Sequence, residues 1–384
     1  MMKKIIFFSG SRAEFNIQSP IISLLKKKQF KIYLIVAGSH TSGVVGNTFQ
    51  QIKDSNINVS HKINLSLNYR NSYELNLYSS KLQKKISYLI KNIEPDCIFL
   101  TSDRFETLSV ALVSHLMRIP IIHLEGGDKT EGGTLDDKSR HAITKLSDFH
   151  LVTNYESKKR VIKLGEESKR IIDIGFPPLY SIEKRKFFSK KYIEKKYKIS
   201  PKEKIILFTY HPVPSELNKI NIIFKALNKI QNQNIKIIIS YPNFDPGYKL
   251  ILEKLNKISK KKNIIVVKNL GQKMYFSLLK YMGSNNKGLC MGNSSSGIKE
   301  TMIFNCKSIN LGSRQNSRLK TNNVYDLNIN YRNIISSTKK ILYSKKKISL
   351  KKNPYYSKIK MKNLDKKILN FLKFKEIKKK SITY

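Results

Sequence analysis

Two carboxylates stand where chemistry is expected. Asp103 ends the apolar run DCIFLTSD and Glu125 ends IPIIHLE. Each run reads as a buried strand, and open parallel sheets bind their ligands beyond the carboxyl ends of the strands. The loop DKTEGGTLDDKSRHAITK then adds Asp128, Glu131, Asp136, Asp137, Arg140 and His141, so the acids of a very basic chain concentrate between residues 103 and 137. Such a cluster serves acid and base work near a developing positive charge, or holds a metal. The spacing matches no zinc motif and arginines intrude, so no metal is expected. Asp103 has a structural alternative: with Glu106 it forms a D-x-x-E helix-capping pattern. Glu125, wedged before Gly126 and Gly127, has none.

Other segments could hold an anion. The first apolar run leads into SGSRAEFN, where a Gly10-Ser11-Arg12 turn at a helix start offers N–H groups and a guanidinium. The alternative is a plain strand-to-helix turn. Neither a G-x-G-x-x-G fingerprint nor a P-loop is present, so no dinucleotide cofactor is expected. In GNSSSGIKE, Asn293, Ser294, Ser295 and Ser296 lie between Gly292 and Gly297, a composition suited to a diphosphate at a helix start. Glu300, about one turn inward, is placed to accept from ribose hydroxyls. A simple serine cap with a capping-box acid explains one serine, not three. His211, in FTYHPVPSE, ends another apolar run and is either a turn residue or a phosphate or proton donor.

The elements that would position these residues repeat along the chain. KIIFFSG, KIYLIVAG, DCIFLTSD, PIIHLEGG, FHLVTN and RIIDIG alternate with helical patterns, the rhythm of a parallel sheet wrapped by helices. A polar stretch near 181–204 interrupts it, and IILFTYH, IKIIISYP, NIIVVKN, GLCMGNS and KSINLGS resume it. The expected architecture is therefore α/β, with two Rossmann-like doubly wound domains, 1–185 and 186–350, facing a cleft. A basic tail, 351–384, follows, in which NLDKKILNFLKF forms an amphipathic helix that packs on the body or meets a membrane surface.

Composition bounds the rest. The 384 residues exceed one ordinary core. Lys and Arg number 73 against 27 Asp and Glu, a net charge of +46 that on its face suggests nucleic acid or an anionic membrane. The lysines, however, lie on polar helix faces among abundant Ile and Asn, and Trp is absent. Compositional bias on solvated faces is the preferred reading, with no nucleic-acid partner. Cys97, Cys290 and Cys306 read as reduced core residues. The apolar run at the start is too short for a secretory signal and no segment is long enough to span a bilayer, so a cytoplasmic protein is expected. A homo-oligomer is expected as well.

The segments GSRAEF, AGSHTS, SDRFE, HLEGGD, RHAITKLSDFH, TYHPVP, SYPNFDPG, NLGQ, GNSSSGIKE and LGSRQNSR occur in one order across residues 9–318. In this the chain resembles the hydrolysing UDP-N-acetylglucosamine 2-epimerases that make N-acetylmannosamine for sialic-acid-type sugars. The resemblance implies a glycosyltransferase-B type fold, a UDP-linked amino sugar as substrate, and no cofactor. It implies that Asp103, Glu125 and Asp136 are catalytic, and that Arg12, Arg104, His211, Ser294, Ser295, Glu300 and Arg314 line the nucleotide and diphosphate site. His40, Arg140, His141, Asn243 and Asp245 are further candidates within or beside the shared segments. The loop after Glu125 is longer than in the sialic-acid enzymes, which leaves Asp137 or Glu131 as alternatives for the third acid. Asn316-Ser317 also replaces a glycine usual in the family. Both departures bear on the sugar, so UDP-2,4-diacetamido-2,4,6-trideoxyglucose or a GDP-linked sugar remains open beside UDP-N-acetylglucosamine. A glycosyltransferase of the same fold and a basic nucleic-acid or membrane-binding protein are the competing readings.

Overall fold

A computed structural model describes the chain apart from residues 1, 27–29, 42–47, 54, 67–70, 131–133, 183–185, 233, 243–246, 285, 346, 347, 349–352, 357–360, 374–379 and 381–384. Glu131, Asn243 and Asp245 therefore lie outside the described residues. The chain divides into two compact units: 1–128, 134–183 and 354–384 form the first, and 129–133 with 184–353 the second.

The first unit holds a seven-stranded sheet of β1 (Lys3–Ser9), β2 (Phe30–Val36), β3 (His61–Lys62), β4 (Cys97–Thr101), β5 (Ile121–Leu124), β6 (Phe149–Val152) and β7 (Ile171–Asp173). The spatial order is β3-β2-β1-β4-β5-β6-β7, and every pairing is parallel. The second unit repeats the theme with β8 (Lys204–Thr209), β9 (Ile235–Ser240), β10 (Ile264–Val267), β11 (Gly288–Gly292), β12 (Lys307–Leu311) and β13 (Val324–Leu327), ordered β10-β9-β8-β11-β12-β13 and again all parallel. These are two Rossmann-like domains, as the alternating rhythm requires. Strands covered on both faces can be apolar throughout, and Ile5–Phe8, Cys97–Leu100 and Ile205–Phe208 are each almost wholly inaccessible. Every quoted run is a strand; β3 and β13 are additions, the first only two residues long.

Strand order reverses between β1 and β4 in one sheet and between β8 and β11 in the other. The carboxyl tips at those points are where this topology opens a ligand site. They carry Gly10–Arg12 and Asp103 in the first unit, and His211 and Asn293–Ser296 in the second.

The C-terminal segment belongs to the first unit. In the helix Leu364–Lys373 the residues Leu364, Ile368 and Phe371 are buried, and Phe371 stacks on Phe149 with ring centroids 4.3 Å apart. Lys380 reaches the buried Glu166 at 2.8 Å. Cys97, Cys290 and Cys306 are buried and unpaired. Among the described residues no helix is long and apolar enough to cross a membrane.

Candidate functional site

At the tips of β4 and β5 the backbone does something only a few residues tolerate. Ser102 and Glu125, each the residue after its strand, have φ of 66° and 69°, in the left-handed region that costs a residue with a Cβ. Hydrogen bonds hold both: Ser102 N–H donates to Leu124 O (2.9 Å) and Glu125 N–H to Leu151 O (3.0 Å). Ser102 Oγ donates to Glu125 Oε2 at 2.5 Å. Glu125 is 6% exposed, so this charge-assisted bond forms largely out of water.

Asp103 does not cap the following helix. The N-cap of Phe105–Leu116 is Arg104, with no side-chain cap bond, because the Asp103 carboxylate is engaged by Arg140. Arg140, 1% exposed, also pairs with Asp137 and donates to Asp128 O at 2.8 Å. The helix Thr134–Leu146 thus presents Asp137 and Arg140 together with Asp103. Asp136 and His141 lie on the same helix, both half-buried. A buried guanidinium between two carboxylates lets negative charge gather without the repulsion that would otherwise force protons on.

Beneath β1 the turn Gly10–Arg12 is braced by a residue that sequence reasoning overlooked. Glu14, 1% exposed, accepts from Gly10 N–H (2.8 Å) and from Thr107 Oγ (2.6 Å). Burial, with the Glu106 charge adding to it and Arg104 opposing, pushes its carboxyl up to about 7. Its place was legible as the fourth residue of an S-x-x-E cap, and Ser11 does cap this helix. Arg104, expected at the nucleotide, turns its guanidinium onto the buried Glu106 through Nε (3.0 Å) and Nη2 (3.1 Å). Arg12 is half-buried, and burial lowers its pKa, so an anion beside it would recover charge solvation. His40 is buried against Ser9 Oγ (2.8 Å); burial, helped by Arg104 and Arg12, pushes it down to about 4, so it is neutral at pH 7.

The second unit's tips carry no comparable acid cluster among the described residues. Asn293 is fully buried, and its amide clamps the end of β8: Oδ1 accepts from His211 N–H (2.6 Å) and Nδ2 donates to His211 O (2.7 Å). Asn293, expected to touch the ligand, uses its side chain to fix both backbone groups of His211. Its own carbonyl accepts from Gln315 Nε2 (2.9 Å) and, at 3.4 Å, from Arg314 Nη1. Glu216 Oε1 accepts from Ser313 N–H (3.0 Å) and Glu216 Oε2 from the Tyr210 hydroxyl (3.1 Å). Gly312 has φ 76°, and a Cβ there would meet Glu216 Oε2 at 2.4 Å, so this loop needs its glycine. Asn316 and Ser317 are exposed beyond it.

Ser294 and Ser296 share a hydroxyl contact at 2.9 Å at the start of a single helical turn, Ser296–Lys299, that passes into a 3-10 turn, Thr301–Phe304. A turn this short has little macrodipole; what it offers an anion is its leading N–H groups and hydroxyls. Gly292 just before it has φ 135°, and a Cβ would meet Thr209 O at 1.8 Å. Glu300, 8% exposed, is near enough to Tyr275 that its charge adds to the burial holding that phenol protonated.

The family model described as UDP-N-acetylglucosamine 2-epimerase matches residues 23–372. The chain is 31% identical over 351 residues to the UDP-N,N'-diacetylbacillosamine 2-epimerase (hydrolyzing) of Legionella pneumophila, covering 89% of each protein. It is 33% identical over 335 residues to the GDP/UDP-N,N'-diacetylbacillosamine 2-epimerase (hydrolyzing) of Campylobacter jejuni, covering 85% of each. Its fold is similar to the crystal structure of UDP-GlcNAc 2-epimerase from Neisseria meningitidis bound to UDP-GlcNAc, with a TM-score of 0.77 at 18% identity, covering 96% of this chain and 100% of that one.

Proposed function

Since the chain belongs to the UDP-N-acetylglucosamine 2-epimerase family and is an enzyme acting on a nucleotide sugar, we propose that it is a hydrolysing 2-epimerase working by elimination of UDP. The observation that carries the reading is the pair of carboxylates on adjacent strand tips, Asp103 tied to Arg140 and Glu125 to Ser102.

The chemistry asks for these groups. The proton on carbon 2 of a 2-acetamido sugar is not activated by a carbonyl, so it leaves only as the bond from carbon 1 to the diphosphate breaks. A carboxylate takes that proton, and the electrons of the C2–H bond form the double bond of a glycal. UDP departs with the electron pair of the C1–O bond. Carbon 1 is oxocarbenium-like in the transition state, and nearby carboxylates stabilise it. Water then adds to carbon 1 while a carboxylic acid protonates carbon 2 from the opposite face, giving the free manno-configured sugar. Asp103, Glu125 and one of Asp136 and Asp137 are the acids of this scheme. In the second unit the hydroxyls and N–H groups of 294–296 with His211 and Arg314 are assigned to the diphosphate, and Glu300 to the ribose.

The sugar we favour is UDP-N,N'-diacetylbacillosamine, the substrate in the names of the 31% and 33% identical relatives, over UDP-N-acetylglucosamine. The product would feed synthesis of a sialic-acid-like sugar. NMR of the protein with both UDP-sugars and their GDP counterparts tests this. Free 2,4-diacetamido-2,4,6-trideoxymannose formed fastest from the UDP-linked sugar is the expected result. Faster turnover of UDP-N-acetylglucosamine would reverse the substrate assignment, and no free manno-configured sugar from any of them would overturn the activity.

A further inference from the structure

The geometry points to Ser102 as a positioning residue that sets the Glu125 carboxylate, an inference that rests on the proposed role of Glu125. Ser102 stands opposite Glu125 because β4 and β5 pair with Thr101 beside Leu124. It occupies a left-handed conformation that glycine would adopt without strain. Strained conformations at non-glycine residues persist where the surroundings over-determine them, and Ser102 is held at every polar atom. Its N–H donates to Leu124 O, and its carbonyl accepts from His123 Nε2 at 2.8 Å. Its hydroxyl donates to Glu125 Oε2.

His123 makes the arrangement rigid. It is fully buried, and a carbonyl can only accept, so Nε2 carries the proton. Nδ1 lies 3.1 Å from Thr144 Oγ1 and, in the neutral ring, accepts from it. Burial pushes His123 down to about 3, so it keeps this tautomer over the working pH range. The helix Thr134–Leu146, which carries Asp137 and Arg140, therefore also braces Ser102 through Thr144. Asp103 follows Ser102 directly, so one strained residue orients both acids: one through its hydroxyl, the other through its backbone.

Backbone relief and loss of the hydroxyl act in opposite directions at this position, which makes the test decisive. Ser102→Gly removes the strain, which offsets the added unfolded-state freedom of glycine and the lost hydroxyl bond, so the variant is expected to fold. If the hydroxyl positions Glu125, the same variant lowers kcat by about ten- to a hundredfold with KM and UDP affinity changed less than about threefold, the split expected when an interaction of the transition state is lost. In the double variant Ser102→Gly/Glu125→Gln, kcat is no lower than in Glu125→Gln alone, because the two residues act as one unit. Wild-type kcat in Ser102→Gly beside an inactive Glu125→Gln would overturn the positioning role and leave the epimerase reading intact. Additive losses in the double variant would overturn action through Glu125. Full activity in Glu125→Gln would remove Glu125 from the mechanism, and Ser102 with it. Ser102→Ala, which loses the hydroxyl and keeps the strain, serves as a second variant: kcat close to wild type in soluble protein would also overturn the inference.

Discussion

The two sheets share a winding order and differ at their carboxyl tips. In the first unit the left-handed positions after β4 and β5 are occupied by Ser102 and Glu125, residues with something to present; in the second the positions after β12 and at the end of β11 are Gly312 and Gly292. The first edge gathers carboxylates around a buried guanidinium, while the second ties its loops with the amides of Asn293 and Gln315 and the carboxylate of Glu216, and carries hydroxyls and N–H groups at its turn. Strain carried by a functional side chain marks the edge proposed for proton transfer. Glycine that lets a backbone approach closely marks the edge proposed for holding phosphate.

If this contrast is right, the edges fail differently. The largest effect is expected at Arg140: replacement by Met leaves Asp103 and Asp137 without their buried cation and costs about 3–5 kcal/mol of stability, read from urea unfolding. A loss below about 1 kcal/mol would mean that the pairing contributes little. Glu14 comes next. Its folded carboxyl is raised from 4.5 to about 7, so the folded chain keeps a proton that the unfolded chain has lost. Stability from this group is greatest below the unfolded value and falls as pH rises through 7, by about 3 kcal/mol in all. Glu14→Gln removes that slope, so the stability difference between wild type and variant should move against the wild type between pH 4.5 and 7.5. A difference that stays flat would contradict the buried, protonated state.

Asp103→Asn and Glu125→Gln are expected to fold and bind UDP yet lose about a hundredfold or more in kcat, the scale of a positioned acid or base. Glu300→Ala should do the reverse and more mildly, weakening UDP about tenfold with kcat of the saturated enzyme close to wild type. Calorimetric titration with UDP beside steady-state rates separates the two patterns. Loss of UDP affinity in Asp103→Asn or Glu125→Gln, or loss of kcat alone in Glu300→Ala, would dissolve the contrast.

Much of the scaffold was legible in the sequence, since cores such as IIFF in KIIFFSG and CIFL in DCIFLTSD carry no polar interruption and, short and followed by turn residues, read as strands buried on both faces. β3 escaped because its two residues, His61 and Lys62, carry no pattern, and β13 because VYDL is short and mixed. The acids at the tips were visible for the same reason as the strands: a charge ending an apolar run is conspicuous. Their partners were not. Arg140 stands out as an arginine in the acid-rich loop, but nothing local pairs it with Asp103, 37 residues away. The D-x-x-E pattern suggested a cap, but Arg140 and Arg104 compete for the two carboxylates and win. Asn293 reads as a ligand-binding amide because it borders the serines; its clamp on both backbone groups of His211 had no signal in the sequence. The handedness of Ser102 could not be read from its residue type, which argues against that conformation.

The central claim, that carboxylates at the first edge exchange the carbon-2 proton during elimination, is tested most directly by running the reaction in D2O and in labelled water. The account predicts product with deuterium at carbon 2 and solvent oxygen at carbon 1, because the original proton passes to an enzyme carboxylate and the bond from carbon 1 to oxygen is the one that breaks. Manno-configured product that retains hydrogen at carbon 2 would contradict it.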